Sequence, residues 1–139
     1  MKIIVVLSVF CAVNSALAQD TTDAYLLKNQ RYMIELAAKI DCENSSGTNA
    51  ENRVCLNLEF QEKDSILNSK ITEYLSKLSP DQQKTFLELH NQWLIYRRTM
   101  SNIHSEGFQG HLLGIRYLST MIDLTAIKTS EINLLLESY

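Results

Sequence analysis

The groups in this chain that could do chemistry are few. Its 139 residues hold three cysteines (Cys11, Cys42, Cys55), three histidines (His90, His104, His111) and one tryptophan, Trp93, which lies one helical turn before Arg97. The spacing of Cys42 and Cys55 is not that of a redox dithiol motif. In an oxidising compartment the two are most simply a disulfide pair, and a loop of that size is worth about 3 kcal/mol in the chain-entropy account. The histidines fall on different segments without ligand-type spacing, so no metal site is expected. No nucleophile motif, glycine-rich phosphate loop or paired-carboxylate constellation stands out. The chain therefore reads as a non-enzyme that needs no cofactor.

Compartment follows from the first residues. Met1-Lys2, an apolar run from Ile3 to Val13, and then Ser15-Ala16-Leu17-Ala18-Gln19 have the order of a secretory signal peptide cleaved after Ala18. Cys11 follows Phe10 rather than a small residue, which argues against a lipoprotein signal. Residues 1–18 are thus expected to be a signal peptide and residues 19–139 one helical domain, periplasmic or secreted, with no transmembrane segment. The net charge of −3 becomes more negative when Lys2 leaves. That gives no compositional case for nucleic acid and favours a basic partner.

The elements that must position these groups read as helices, since one proline and four glycines are poor material for the turns of a β-sandwich. Residues 22–41 carry Leu26, Met33, Leu36 and Ile40 on one face. Residues 50–77 repeat Leu56, Phe60, Leu67, Ile71 and Tyr74 at helical steps, with Asp64 on the same stripe. Ser79-Pro80-Asp81-Gln82 is a helix start, with a capping serine, proline in the first turn and a capping-box glutamine. The helix that follows presents Phe86, Leu89, Trp93, Tyr96, Met100 and Ile103 as its apolar stripe. A last helix from about His111 to Glu137 carries Ile115, Leu118, Ile122, Thr125, Ile132 and Leu136 on one face, with Leu113, Tyr117, Met121 and Leu124 broadening it. The expected fold is all-α: about four helices, the second and third an antiparallel hairpin around a two-residue turn, forming a hairpin or bundle with one disulfide. Asp64 would be costly to bury alone, and Arg97 is its natural partner across that hairpin. Trp93 and Tyr96 read as core aromatics.

Several of these residues resemble a known family. Asp41-Cys42, Thr48-Asn49-Ala50-Glu51 leading into Cys55, Asp64 with Leu67-Asn68, Leu78-Ser79-Pro80-Asp81-Gln82-Gln83 and above all Trp93-Leu94-Ile95-Tyr96-Arg97 look like the LprI-type lysozyme-inhibitor-like proteins. The likeness spans about residues 41–136. Typical members have four cysteines, and Ser101 and Met121 stand where the second pair would be. Lys128 replaces an expected arginine, and Arg98 stands where an acid is usual.

The resemblance implies a protein partner, a lysozyme or other peptidoglycan hydrolase, and an inhibitory role in the bacterial envelope. Either of two polar loops would then enter the partner's cleft. One is Glu43–Asn49, whose Ser45 and Ser46 can hydrogen-bond catalytic carboxylates. The other is His104–His111, with Phe108 as an anchor and His104 and His111 as donors or cations. A different reading makes the chain a periplasmic interaction or immunity protein that binds another protein without inhibiting lysozyme.

Overall fold

A computed structural model describes residues 35–139. The expected signal peptide, Cys11 and most of the first expected helix lie outside the described residues. The fold is all-α. Residues 35–37 are helical, and three long helices follow: α1 (Asn49–Leu75), α2 (Pro80–Ser105) and α3 (Gly110–Glu137). No helix among the described residues is long and apolar enough to cross a membrane.

Local chemistry sets the boundaries. Past the helical residues 35–37, the Asp41 carboxylate accepts the backbone N–H of Glu43 at 3.0 Å and the Asn44 amide at 2.8 Å, shaping the turn that follows. A side chain that captures nearby donors in this way competes with helix. Thr48 caps α1 through a capping box with Glu51, and Ser79 caps α2 through one with Gln82 while Pro80 occupies the first turn. Four residues, 76–79, join α1 to α2, where the spacing predicts two. The extra residues let the Gln83 side chain donate to the carbonyls of Leu75 and Leu78 at 3.0 and 3.1 Å, satisfying backbone groups that the end of α1 leaves open. Gly107, at φ +83°, makes the left-handed turn after α2 that a side chain would disfavour.

α1 and α3 run parallel, with α2 antiparallel to both. Arg53 lies against Gly114 at one end, and Tyr74 meets Tyr139 at the other. The backbones of α1 and α3 approach most closely, and α2 leans mainly on α3. The expected α1–α2 hairpin is therefore spread apart, because bulky side chains such as Arg97, Trp93 and Phe86 stand between those two helices. The core forms two apolar clusters. One holds Phe60, Tyr117, Leu118, Met121 and Ile122; the other holds Leu67, Ile71 and Ile132, with Phe86 and Trp93 packed on it.

α2 is turned from its expected orientation by one residue position. His90, Leu94, Arg97 and Ser101 are buried where the apolar spacing pointed to Leu89, Tyr96 and Ile103, while Phe86 and Trp93 of the expected stripe still pack on the second cluster. Leu89 and Ile103 are exposed, and Tyr96, expected in the core, is 49% exposed. This orientation predicts unequal effects from chemically identical changes. Leu94→Ala should cost about 2 to 5 kcal/mol in urea unfolding as a buried truncation, and Leu89→Ala should stay within about 0.5 kcal/mol as a surface change.

Candidate functional site

Between the two apolar clusters lies a polar waist. Arg97 has no exposed surface and Asp64 has 2%. A single guanidinium nitrogen of Arg97 donates to Asp64 Oδ1 at 2.7 Å on α1 and to Thr125 Oγ1 at 2.7 Å on α3. Thr125 in turn donates to the carbonyl of Met121 at 2.6 Å, and Asn68 donates to the other Asp64 oxygen at 3.4 Å. The guanidinium carbon sits 4.7 Å from the centre of the Trp93 ring and 5.2 Å from that of Phe60. A cation over a ring face gains from the ring quadrupole, most when water is excluded.

From Arg97 a stack of rings continues along α2. Trp93 lies on His90 with centroids 5.6 Å apart, His90 lies on Phe86 at 6.2 Å, and Phe86 meets Tyr74 edge-on at 5.1 Å. His90 is 4% exposed and its Nδ1 has no hydrogen-bond partner. Burial first, and then the positive charges of Lys128 and Arg97 against the opposing Asp64, hold its pKa down at about 4. It is therefore a neutral ring in a stack at pH 7. Lys128 covers the other side of this region, with its ammonium 5.9 Å from the Trp93 centroid and 2.7 Å from Glu131.

This waist is closed to any substrate. Asp64, Arg97 and Thr125 are buried against one another, so their chemistry serves register between helices. Trp93 is half-buried at its edge. Ser101 is fully buried and donates to the Arg97 carbonyl at 2.8 Å, and Met121 is fully buried in the first apolar cluster. The two positions at which the resemblance implies cysteines are thus packed as ordinary core.

The accessible polar features gather at one end of the bundle, where α1 begins, α2 ends and α3 begins. Cys42 and Cys55 form a disulfide there, tying the loop of residues 43–48 to the second turn of α1. Glu51 organises that loop. Its Oε2 accepts the Ser46 hydroxyl at 2.6 Å and the Thr48 N–H and hydroxyl at 2.9 Å each. These bonds, that of Ser46 first, pull the Glu51 pKa down to about 2. Ser46 is therefore already committed as a donor, and of the two serines Ser45 is the one without such an internal bond. The Thr48 part of this network is legible in Thr48-Asn49-Ala50-Glu51, a capping-box pattern.

The second loop flanks the same end. Phe108 is 38% exposed, and the Arg116 guanidinium stands 5.3 Å from its ring centre. His104 Nδ1 lies 3.3 Å from the Thr120 hydroxyl, across the α2–α3 seam. His111 turns its Nδ1 into the protein, where it has no hydrogen-bond partner. The structure thus brings Ser45, Ser46, Phe108, His104 and His111 to one end of the molecule, well away from Trp93. It contains no group of three or more histidine, cysteine or acidic side chains fit to hold a metal among the described residues.

Comparison with known proteins gives one result. The family model described as Lysozyme inhibitor LprI matches residues 42–132, a span that includes the disulfide, the waist and both loops. No curated protein and no solved structure matches the chain.

Two outcomes follow from the waist. Arg97→Ala should cost about 3 to 5 kcal/mol in urea unfolding, because it strands Asp64 in the core, whereas Asp64→Leu combined with Arg97→Met should recover most of that loss. Acid should also weaken the fold. The unfolded chain takes up the His90 proton near pH 6.5 and the folded one only near 4. That contribution is therefore fully present above pH 6.5 and is lost as pH falls to about 4, by up to about 1.4 kcal/mol per pH unit. His90→Phe, which keeps the stack, should flatten the profile of unfolding free energy against pH across that window.

Proposed function

The chain belongs to the lysozyme inhibitor LprI family, and on that premise we propose that it binds a lysozyme-like peptidoglycan hydrolase and blocks its cleft with the two-loop end. The observation that carries this reading is the convergence, inside the matched span, of a disulfide-braced polar loop and a loop with a half-exposed aromatic ring. A cleft that accepts a sugar chain is filled by a protruding, preformed surface. Preformed loops lose less entropy on binding than flexible ones.

In this reading no covalent chemistry takes place. Phe108, backed by Arg116, is the apolar anchor, and Ser45 and the exposed polar backbone of residues 43–48 supply hydrogen bonds around it. Glu51 stays ionised down to about pH 2, so the loop keeps its shape in acid conditions. Asp41, Glu43 and Glu106, all exposed at the same end, complement a basic hydrolase and speed its approach. The partner is met outside the cytoplasm, a placement supported by the apolar leader sequence and by the disulfide.

The test is peptidoglycan lysis by lysozymes of several classes in the presence of the purified protein, with a heat-unfolded control. Inhibition should reach half near equimolar protein for at least one class. Phe108→Asp should weaken it at least about tenfold, as loss of an interface anchor does, and Leu134→Asp, on the far half of α3, should leave it unchanged. Absence of inhibition at large excess for every class would overturn the proposal in favour of a non-inhibitory interaction or immunity protein.

A further inference from the structure

The end of the bundle opposite the loops carries a groove of about 360 Å³. Tyr74 from α1, Asp81, Gln82, Phe86 and Leu89 from α2, and Tyr139 line it. Tyr74 stands edge-on to both Phe86, at 5.1 Å, and Tyr139, at 6.0 Å. Burial, followed by the charge and hydrogen bond of Tyr139, raises the Tyr74 pKa and holds that ring in its neutral form. Its volume lies at the small end of the range for ligand pockets, which suits one side chain rather than a large ligand.

Elsewhere in this protein rings are matched with cations: Arg97 over Trp93 and Phe60, Lys128 over Trp93, Arg116 over Phe108. Among the described residues no cation lies over Tyr74, Phe86 or Tyr139. The Asp81 carboxylate, exposed in the first turn of α2, makes no hydrogen bond or ion pair among them either. Some of the groove's other polar atoms are already engaged within the helix start. The Gln82 amide oxygen accepts the Ser79 N–H at 2.9 Å, and the Thr85 hydroxyl donates to the Asp81 carbonyl at 3.1 Å. What sets the groove apart is three aromatic rings beside one carboxylate that has no partner among the described residues. That combination is complementary to a cation on an apolar stem.

We propose that this groove receives an arginine or lysine side chain from a protein partner, with the rings bearing on the cation and Asp81 pairing with it. The acidic balance of the chain draws a basic partner to it. α1 has 27 residues, so the groove lies about 40 Å from the loops at a rise of 1.5 Å per residue. The site is therefore separate from the one in the hydrolase reading and stands or falls without it.

The experiment is an NMR titration of the full folded chain, read at the Tyr74, Phe86 and Tyr139 ring signals. The probes are N-acetyl-arginine amide, its uncharged isostere N-acetyl-citrulline amide, and chitotriose. The arginine probe should produce saturable shifts confined to those rings, and the other two should produce none. Asp81→Asn leaves the Ser79–Gln82 capping box intact and should weaken the arginine response about fivefold, the scale of one exposed ionic contact. Equal shifts with the citrulline probe, shifts of these rings with chitotriose, indifference to Asp81→Asn, or no response to the arginine probe would each overturn the assignment.

Discussion

A guanidinium with no exposed surface must find acceptors within the protein, and Arg97 finds them on both neighbouring helices. One nitrogen reaches Asp64 on α1 and Thr125 on α3, so the three helices share a fixed level at the middle of the bundle. The apolar clusters above and below fill what remains. Burial of paired charge contributes little net stability compared with apolar packing, but breaking it is costly, and it penalises any arrangement in which the partners miss one another. In this protein the specificity falls on α2. Its exposed Leu89, Tyr96 and Ile103 are the consequence of turning Arg97 inward, and His90 is carried into the ring stack by the same rotation.

The waist and the two ends divide the labour of the molecule. The buried waist in the middle holds the register of the helices. One end displays the loops, braced by the disulfide and by the bonds that Glu51 makes to Ser46 and Thr48. The other end carries the aromatic groove beside Asp81. The end where α2 meets α3 relies on packing, on Gly107 in its left-handed turn and on the His104–Thr120 contact.

Much of this was legible in the residues. Helical spacing located α1 and α3 with their buried stripes, Ser79-Pro80-Asp81-Gln82 marked the start of α2, and the cost of burying Asp64 pointed to Arg97. The face of α2 was misread because apolar periodicity weighs Leu89, Tyr96 and Ile103 and is blind to a polar residue whose partners make its burial favourable. Thr125 as the second acceptor for Arg97, and His90 between two rings, depend on contacts between helices, which spacing along one helix does not contain. The loops were visible from composition. The capping-box pattern of Thr48 and Glu51 covers the Thr48 bonds but not the one from Ser46, which depends on how the loop folds back, and the gathering of the loops at one end follows from the up-down-up path of the helices.

The most direct test of the account is a double-mutant cycle between Asp64→Asn and Thr125→Val, read as urea-unfolding free energy, with the cycle repeated in an Arg97→Met background. The two side chains lie on different helices and are linked through one Arg97 nitrogen. If that guanidinium holds the helices in register, the pair should show a coupling of about 1 kcal/mol in the native sequence and none when Arg97 is replaced. Additivity of the two substitutions with Arg97 present, within the roughly 0.5 kcal/mol expected for independent sites, would contradict the shared waist as the organising feature of the fold.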